Sequence, residues 1–202
     1  MKPASNPPSD HSSLTITMRH TGETLTMFRQ KNGSTRELHM RGSLPANQPG
    51  PPLHIHTGED ELTEILSGTM TASLEGSPIS VEAGQSASFP RGSIHRWWNS
   101  SGEELIFRGV ASPVVDLDRY LQGLFEVLNA GQPNHPPMFY LAHLFYRHRR
   151  TQIGLGIPPT IQRLLLPAMV AAGTLLGKYH GISWPGCPAR CLGAPLRPRA
   201  GL

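Results

Sequence analysis

The sequence predicts an all-β barrel or sandwich followed by an α-helical extension. Three observations carry that expectation. Short apolar runs alternate with polar residues between positions 14 and 112, with turn residues every few positions. The chain has 21 Gly and 20 Pro in 202 residues, a supply of turn-formers that suits many short strands. From Pro113 onward the apolar spacing changes from the strand period to the helical one.

Taken in order, residues 1–13 hold Pro, Ser and Asn without an apolar run and are expected to be a mobile tail. No hydrophobic stretch follows Lys2, so no secretory signal is expected. Leu14 to Met18 alternates as a strand. Leu25 to Gln30 and Thr35 to Arg41 flank Lys31-Asn32-Gly33-Ser34, and Asn-Gly between two β-like runs predicts a hairpin whose turn residues take positive φ. His39, on the second arm, is expected to be a plain histidine rather than a supporting group of a site. Leu62, Ile65 and Leu66 predict a buried strand, and Ser67-Gly68 a turn. Thr69 to Leu74, Ile79 to Val81, Ala87 to Phe89, His95 to Asn99 and Glu104 to Ala111 complete a set of about ten short strands.

The richest stretch runs from Gly50 to Asn99. In His54-Ile55-His56 the two imidazoles stand at i and i+2, so a strand points both to one face. Glu61 follows the acidic turn Thr57-Gly58-Glu59-Asp60. By strand parity Glu64 faces away from Glu61, and a bulge in the turn would bring Glu64 or Glu59 in its place. His95 follows Pro90-Arg91-Gly92, and His95, Trp97 and Asn99 share one strand face.

Three residues separate Gly50 from His54, four separate His56 from Glu61, and six separate Glu61 from Gly68. Five residues separate Gly84 from Pro90, one separates Pro90 from Gly92, two separate Gly92 from His95, and three separate His95 from Asn99. These spacings resemble the two motifs of the cupin superfamily. The second matches at every marked position. The first departs only at its leading glycine, two residues too close to His54. The resemblance implies a double-stranded β-helix, the cupin or jelly-roll barrel, over residues 14–112. It implies His54, His56, Glu61 and His95 as ligands of one divalent metal ion, and a homodimer paired through its sheets.

Three imidazoles and a carboxylate suit Fe, Mn, Ni, Cu or Zn, and ligand type does not choose among them. A six-coordinate ion on four ligands keeps positions for water, a chelating substrate or dioxygen. Three functions are compatible with this. One is an oxidoreductase resembling cupin dioxygenases, with a small oxygen-bearing substrate on the metal and Glu61 as both ligand and proton acceptor. Another is a non-redox isomerase or cyclase. The last is a binding or sensor module without turnover. Phe89 and Trp97 are candidates for an apolar substrate pocket, with barrel filling the equal alternative for Trp97.

Residues 113–180 form the expected helical extension. Asp116 or Asp118 caps a first helix with Leu117, Leu121, Leu124, Phe125 and Leu128 apolar, ending at Gly131. Asn134-His135-Pro136-Pro137 breaks it. A second helix spans Met138 to Arg150, with His143 and His148 expected at the surface and Arg147, Arg149 and Arg150 at its C-terminal end. Pro158-Pro159 opens a third helix, apolar on most sides but too interrupted by Arg163 and Pro167 for a membrane span. It is expected to pack on the barrel or across a dimer, with contact to an anionic membrane surface as the sharper alternative. Residues 181–202 lack periodicity and are expected to be a disordered tail.

The net charge of +4 is uneven: residues 1–112 hold 9 Lys+Arg and 11 Asp+Glu, residues 113–202 hold 9 and 3. No aromatic residues interleave a basic run, which argues against a nucleic-acid groove. The two cysteines, Cys187 and Cys191, stand far from the motifs, and such sparing use fits a reducing, cytoplasmic setting.

Overall fold

The computed structural model describes residues 13–132 and 137–179. The expected tail at 181–202 with both cysteines, the break at Asn134-His135-Pro136, and all but the last residue of the expected N-terminal tail lie outside the described residues.

Ten strands occupy the barrel region: β1 (Leu14–Thr17), β2 (Thr24–Asn32), β3 (Thr35–Leu44), β4 (His54–His56), β5 (Asp60–Ser67), β6 (Thr69–Leu74), β7 (Ser77–Glu82), β8 (Ser86–Phe89), β9 (His95–Trp98) and β10 (Leu105–Ser112). An eleventh, β11 (Gln152–Gly154), lies among the helices α1 (Leu117–Ala130), α2 (Met138–His148) and α3 (Pro159–Leu175). One sheet has the order β1-β2-β3-β10-β5-β8 and the other β11-β4-β9-β6-β7. All pairings are antiparallel. Together they form the jelly-roll barrel with a helical extension that the sequence predicts.

The core lies between the sheets. Leu38, Leu44, Ile65, Met70, Phe89 and Leu105 are fully buried there, each contributing on the order of 1.5–3 kcal/mol by leaving water. Strand alternation sets which residues they are. On β3, Leu38, Met40, Gly42 and Leu44 face in, while His39 faces the other way, stacked on Phe28 with Glu37 3.2 Å from its Nε2.

Several local expectations are corrected. Asn32 pairs with Thr35, so the hairpin turn is Gly33-Ser34, with positive φ at Gly33 and not at Asn32. A two-residue turn with glycine at its first central position matches the right-handed twist of the strands. Leu62 is 51 % exposed, because its parity on β5 places it opposite Glu61, Thr63 and Ile65.

The extension is not helical throughout. β11 leaves α2 and pairs with the His-Ile-His strand, Gln152 opposite His56, Ile153 opposite Ile55 and Gly154 opposite His54. Bonds from Thr57 N–H to Thr151 C=O and from Leu155 N–H to Leu53 C=O, 2.9 Å each, prolong the pairing at both ends. The three residues of β11 are too few to show a strand period in sequence.

The cap of α1 also differs. Asp116 stands at the N-cap but makes no side-chain cap bond. Its carboxylate instead meets Nδ1 of His148 at 2.6 Å, so His148 is buried rather than at the surface. Asp118 is drawn away by Arg29, at 2.6 Å. The free N–H groups of Val115, Asp116 and Leu117 donate to Oε1 of Glu59, at 2.9, 3.1 and 3.2 Å. A carboxylate from the barrel therefore performs the task that an N-cap side chain performs elsewhere, at the positive end of the helix dipole.

The second helix ends at His148, two residues before Arg150. α3 packs mainly on α2, and its Gln162 side chain donates to the carbonyl of Gly154 on β11 at 2.6 Å. Leu164 and Leu175 on it are 79 % and 88 % exposed. Among the described residues, no helix is long and apolar enough to cross a membrane.

Candidate metal centre

Three imidazoles converge because of where their strands pair. His54 on β4 stands directly opposite His95 on β9, and His56 lies two residues further along the same face of β4. One ring nitrogen from each of the three lies within 4.8 Å of the others. The centroids of His54 and His95 are 4.3 Å apart, those of His54 and His56 4.6 Å, and those of His56 and His95 5.1 Å. The fourth predicted residue, Glu61, comes from the opposite sheet. Its Oε2 lies 3.3 Å from Nε2 of His56, and its Oε1 accepts the Thr63 hydroxyl at 3.1 Å.

Each ring is held from behind through Nδ1. His54 Nδ1 lies 2.7 Å from the Pro52 carbonyl oxygen, and His95 Nδ1 lies 3.1 Å from that of Ser93. His56 Nδ1 is bonded to the side-chain oxygen of Gln152. A carbonyl oxygen can only accept, so all three rings carry hydrogen on Nδ1 and turn Nε2 toward the cluster. Nε2 of His54 and Nε2 of His56 are 3.1 Å apart. Two bare lone pairs at that distance repel unless a proton or cation lies between them. Nε2 of His95 is buried and has no hydrogen-bond partner among the described residues.

These observations fit a metal ion. Two nitrogens about 2.1 Å from one ion and at right angles lie about 3 Å apart, which matches the His54–His56 spacing. An orphaned nitrogen within the same cluster is the group that an ion would satisfy.

The electrostatics agree. Burial, then the neighbouring imidazoles, push His54 down to about 3, leaving it neutral and able to ligate. Burial likewise lowers His95. Burial opposes the charge on His56 too, but the hydrogen bond and charge of Glu61 outweigh it and raise His56. Burial would raise Glu61, yet the His56 contact holds it at about 2. The His56–Glu61 pair is thus biased toward imidazolium and carboxylate.

Phe89 and Trp97 are buried. Phe89 stacks on His95 with centroids 4.7 Å apart, and Trp97 packs edge-on against Phe107 at 5.1 Å in the core. The two alternative carboxylates go elsewhere: Glu64 pairs with Arg108 outside the barrel, and Glu59 turns to α1.

The spacing residues around the ligands have their own physical duties. Gly92 donates its N–H to the carbonyl of His56 at 2.7 Å, which ties the two motifs together. Gly50, despite its displaced position, has φ +57, and a Cβ there would lie 2.3 Å from the Trp97 carbonyl oxygen. Asn99 is buried. Its amide donates to the carbonyls of Leu44, Pro45 and Glu103 and accepts from Ser101, closing the loop beyond β9.

Residues 40–111 match the family profile of the Cupin domain. That match spans 72 of the 202 residues and agrees with the barrel topology described above. The chain carries a cupin domain over residues 40–111.

Part of this chain is 35% identical over 95 residues to the oxidoreductase iacF of Pestalotiopsis fici. The match covers 45% of this chain and 47% of that protein, so the chain spans about half the length of that relative. Among solved structures, an RmlC-like cupin from Shewanella frigidimarina superposes with TM-score 0.43 at 16% identity, over 51% of this chain and 86% of the other. A predicted oxalate decarboxylase from Thermotoga maritima does so with TM-score 0.40 at 26% identity, over 54% and 97%.

One residue beside this site escaped sequence reasoning: Gln152 lies far downstream in a short segment without periodicity. Glu59 is expected from sequence only as a substitute for Glu61 among the ligands, since nothing in its acidic turn marks that carboxylate as buried against α1.

Proposed function

We propose that this cupin is a metal-dependent oxidoreductase of dioxygenase type acting on a small oxygen-bearing molecule. The convergence of three Nε2 atoms, one of them orphaned, is the observation that carries the metal reading. The oxidoreductase named among its relatives supports the redox reading. In this reading His54, His56, His95 and Glu61 are the ligands, and the ion is Fe, Mn, Ni, Cu or Zn. A bound redox-active ion supplies the electron exchange between an organic substrate and dioxygen.

The chain's own residues do the rest. The Nδ1 acceptors hold three rings in the ligating tautomer. Glu61 stands where it can take a proton from a substrate hydroxyl, having already been paired with one on His56. Phe89 excludes water from the back of His95. Trp97, buried beside Phe107, supports the apolar wall. Sparing cysteine use supports a cytoplasmic setting, and the exposed leucines of α3 support a homodimer.

Metal analysis of protein purified without added metal, followed by oxygen-electrode assays on catechols, diketones and hydroxy acids, tests the reading. Oxygen uptake that requires the ion supports it. Turnover of the same substrates without oxygen would assign a non-redox isomerase or cyclase instead. A tightly held ligand recovered unchanged would assign a binding module.

A further inference from the structure

His56 is the one imidazole of the cluster whose Nδ1 partner is a side chain, and that side chain comes from the extension, 96 residues downstream. Gln152 could present either its oxygen or its nitrogen to His56. The choice is made behind it. Nε2 of Gln152 donates to Oε2 of Glu59 at 2.8 Å, and a carboxylate oxygen accepts only. Glu59 in turn is pinned by the three N–H groups at the start of α1 on its other oxygen. Glu59, Gln152 and His56 are all buried, at 0 %, 3 % and 4 % exposure, so no bulk water relaxes the sequence of donors and acceptors. The direction of every hydrogen bond from α1 to His56 is therefore determined.

We propose that Glu59 and Gln152 are positioning residues through which the C-terminal extension decides which nitrogen of His56 faces the cluster. On this account α1 and β11 are parts of the centre and not an appendage to a finished barrel. The consequence for metal affinity rests on the metal reading above; the tautomer itself does not.

The substitution Glu59→Gln tests the inference away from the ligands. The three helix N–H groups keep the oxygen of the new amide, so its NH2 turns toward Gln152. Gln152 must then turn over and offer its own NH2 to His56. His56 can accept that only with Nδ1 bare, which moves its hydrogen to Nε2 and removes the lone pair from the cluster.

The readouts are 15N spectra of histidine-labelled, metal-free full-length protein, taken at a pH high enough that His56 has lost its second proton and the neutral ring reports its tautomer, and Zn(II) affinity by chelator competition. E59Q is expected to convert His56 to the Nε2–H form and to weaken Zn(II) binding roughly 10–100-fold, the usual effect of losing such an outer partner. The exchanged pair E59Q/Q152E restores a carboxylate acceptor for His56 Nδ1–H and every bond behind it. It is expected to return the Nδ1–H form and Zn(II) affinity to within about threefold of the parent.

An Nδ1–H His56 in E59Q, or an exchanged pair that folds with Nε2–H, overturns the inference. If E59Q does not fold, the exchanged pair decides alone. Failure of both to fold also counts against it, since the exchange conserves each donor and acceptor. If the parent binds no Zn(II) while the tautomers behave as expected, the metal reading falls and the positioning role stands.

Discussion

Glu61 reaches from one sheet to within 3.3 Å of Nε2 of His56 on the other. In the metal-free protein this contact is an ion pair: it holds Glu61 at about 2 and raises His56 above its ordinary range. An ion that takes His56 Nε2 must displace that proton.

Metal affinity should therefore depend on pH. Below the raised value of His56, each unit of acidification should weaken binding about tenfold, since one proton competes for the site. Above it the affinity should level off, because His54, lowered to about 3, is already neutral. Isothermal titrations with Zn(II) in buffers of different ionisation enthalpy should show release of one proton per ion at the acid end. A pH-independent affinity would contradict the His56–Glu61 pairing.

Stability of the metal-free protein should follow the same pair with the opposite sign. A raised His56 stabilises the fold below its unfolded value, and that contribution is lost as pH rises through the folded value. The lowered Glu61 stabilises above its unfolded value and ceases to do so only as pH falls toward 2. Urea melts of chelator-treated protein should thus give a weaker fold at alkaline than at neutral pH, and His56→Phe should flatten that alkaline limb.

His95→Ala should abolish stoichiometric metal binding while leaving the barrel folded. The imidazole is buried with an orphaned Nε2, so its removal relieves one unsatisfied group and leaves a cavity beside Phe89. The net loss of stability should be no more than about 2 kcal/mol. Elemental analysis and circular dichroism of the variant check both halves.

Gly50→Ala should destabilise by about 2 kcal/mol or more, since φ +57 and a 2.3 Å approach to the Trp97 carbonyl both oppose a side chain. Asn99→Ala should cost about 2–4 kcal/mol by leaving the carbonyls of Leu44, Pro45 and Glu103 short of a donor. Denaturant midpoints measure both, and equal stability for Gly50→Ala would show that the loop moves freely past β9.

The barrel was legible because its signals are local. Strand alternation, turn glycines and the His54-Ile55-His56 spacing need only neighbouring residues to be read. The hairpin at Gly33 slipped by one residue because Asn-Gly and Gly-Ser both make acceptable turns, and strand pairing of Asn32 with Thr35 chose between them. The cap of α1 was misassigned because two aspartates stood in suitable positions, while Arg29 and His148 held stronger claims on their carboxylates. His148 looked like a surface residue for the same reason: its partner, Asp116, is remote in sequence.

The sequence by itself determined the fold class and the placing of two histidines on one strand face, because those follow from periods of two residues and from turn chemistry. Only the tertiary structure decided that β11 returns to the barrel, that Glu59 serves α1 rather than the cluster, and that Gln152 sets the hydrogen on His56. Those contacts join residues 56 to 100 positions apart. Burial and hydrogen-bond direction select them, and no local pattern records either.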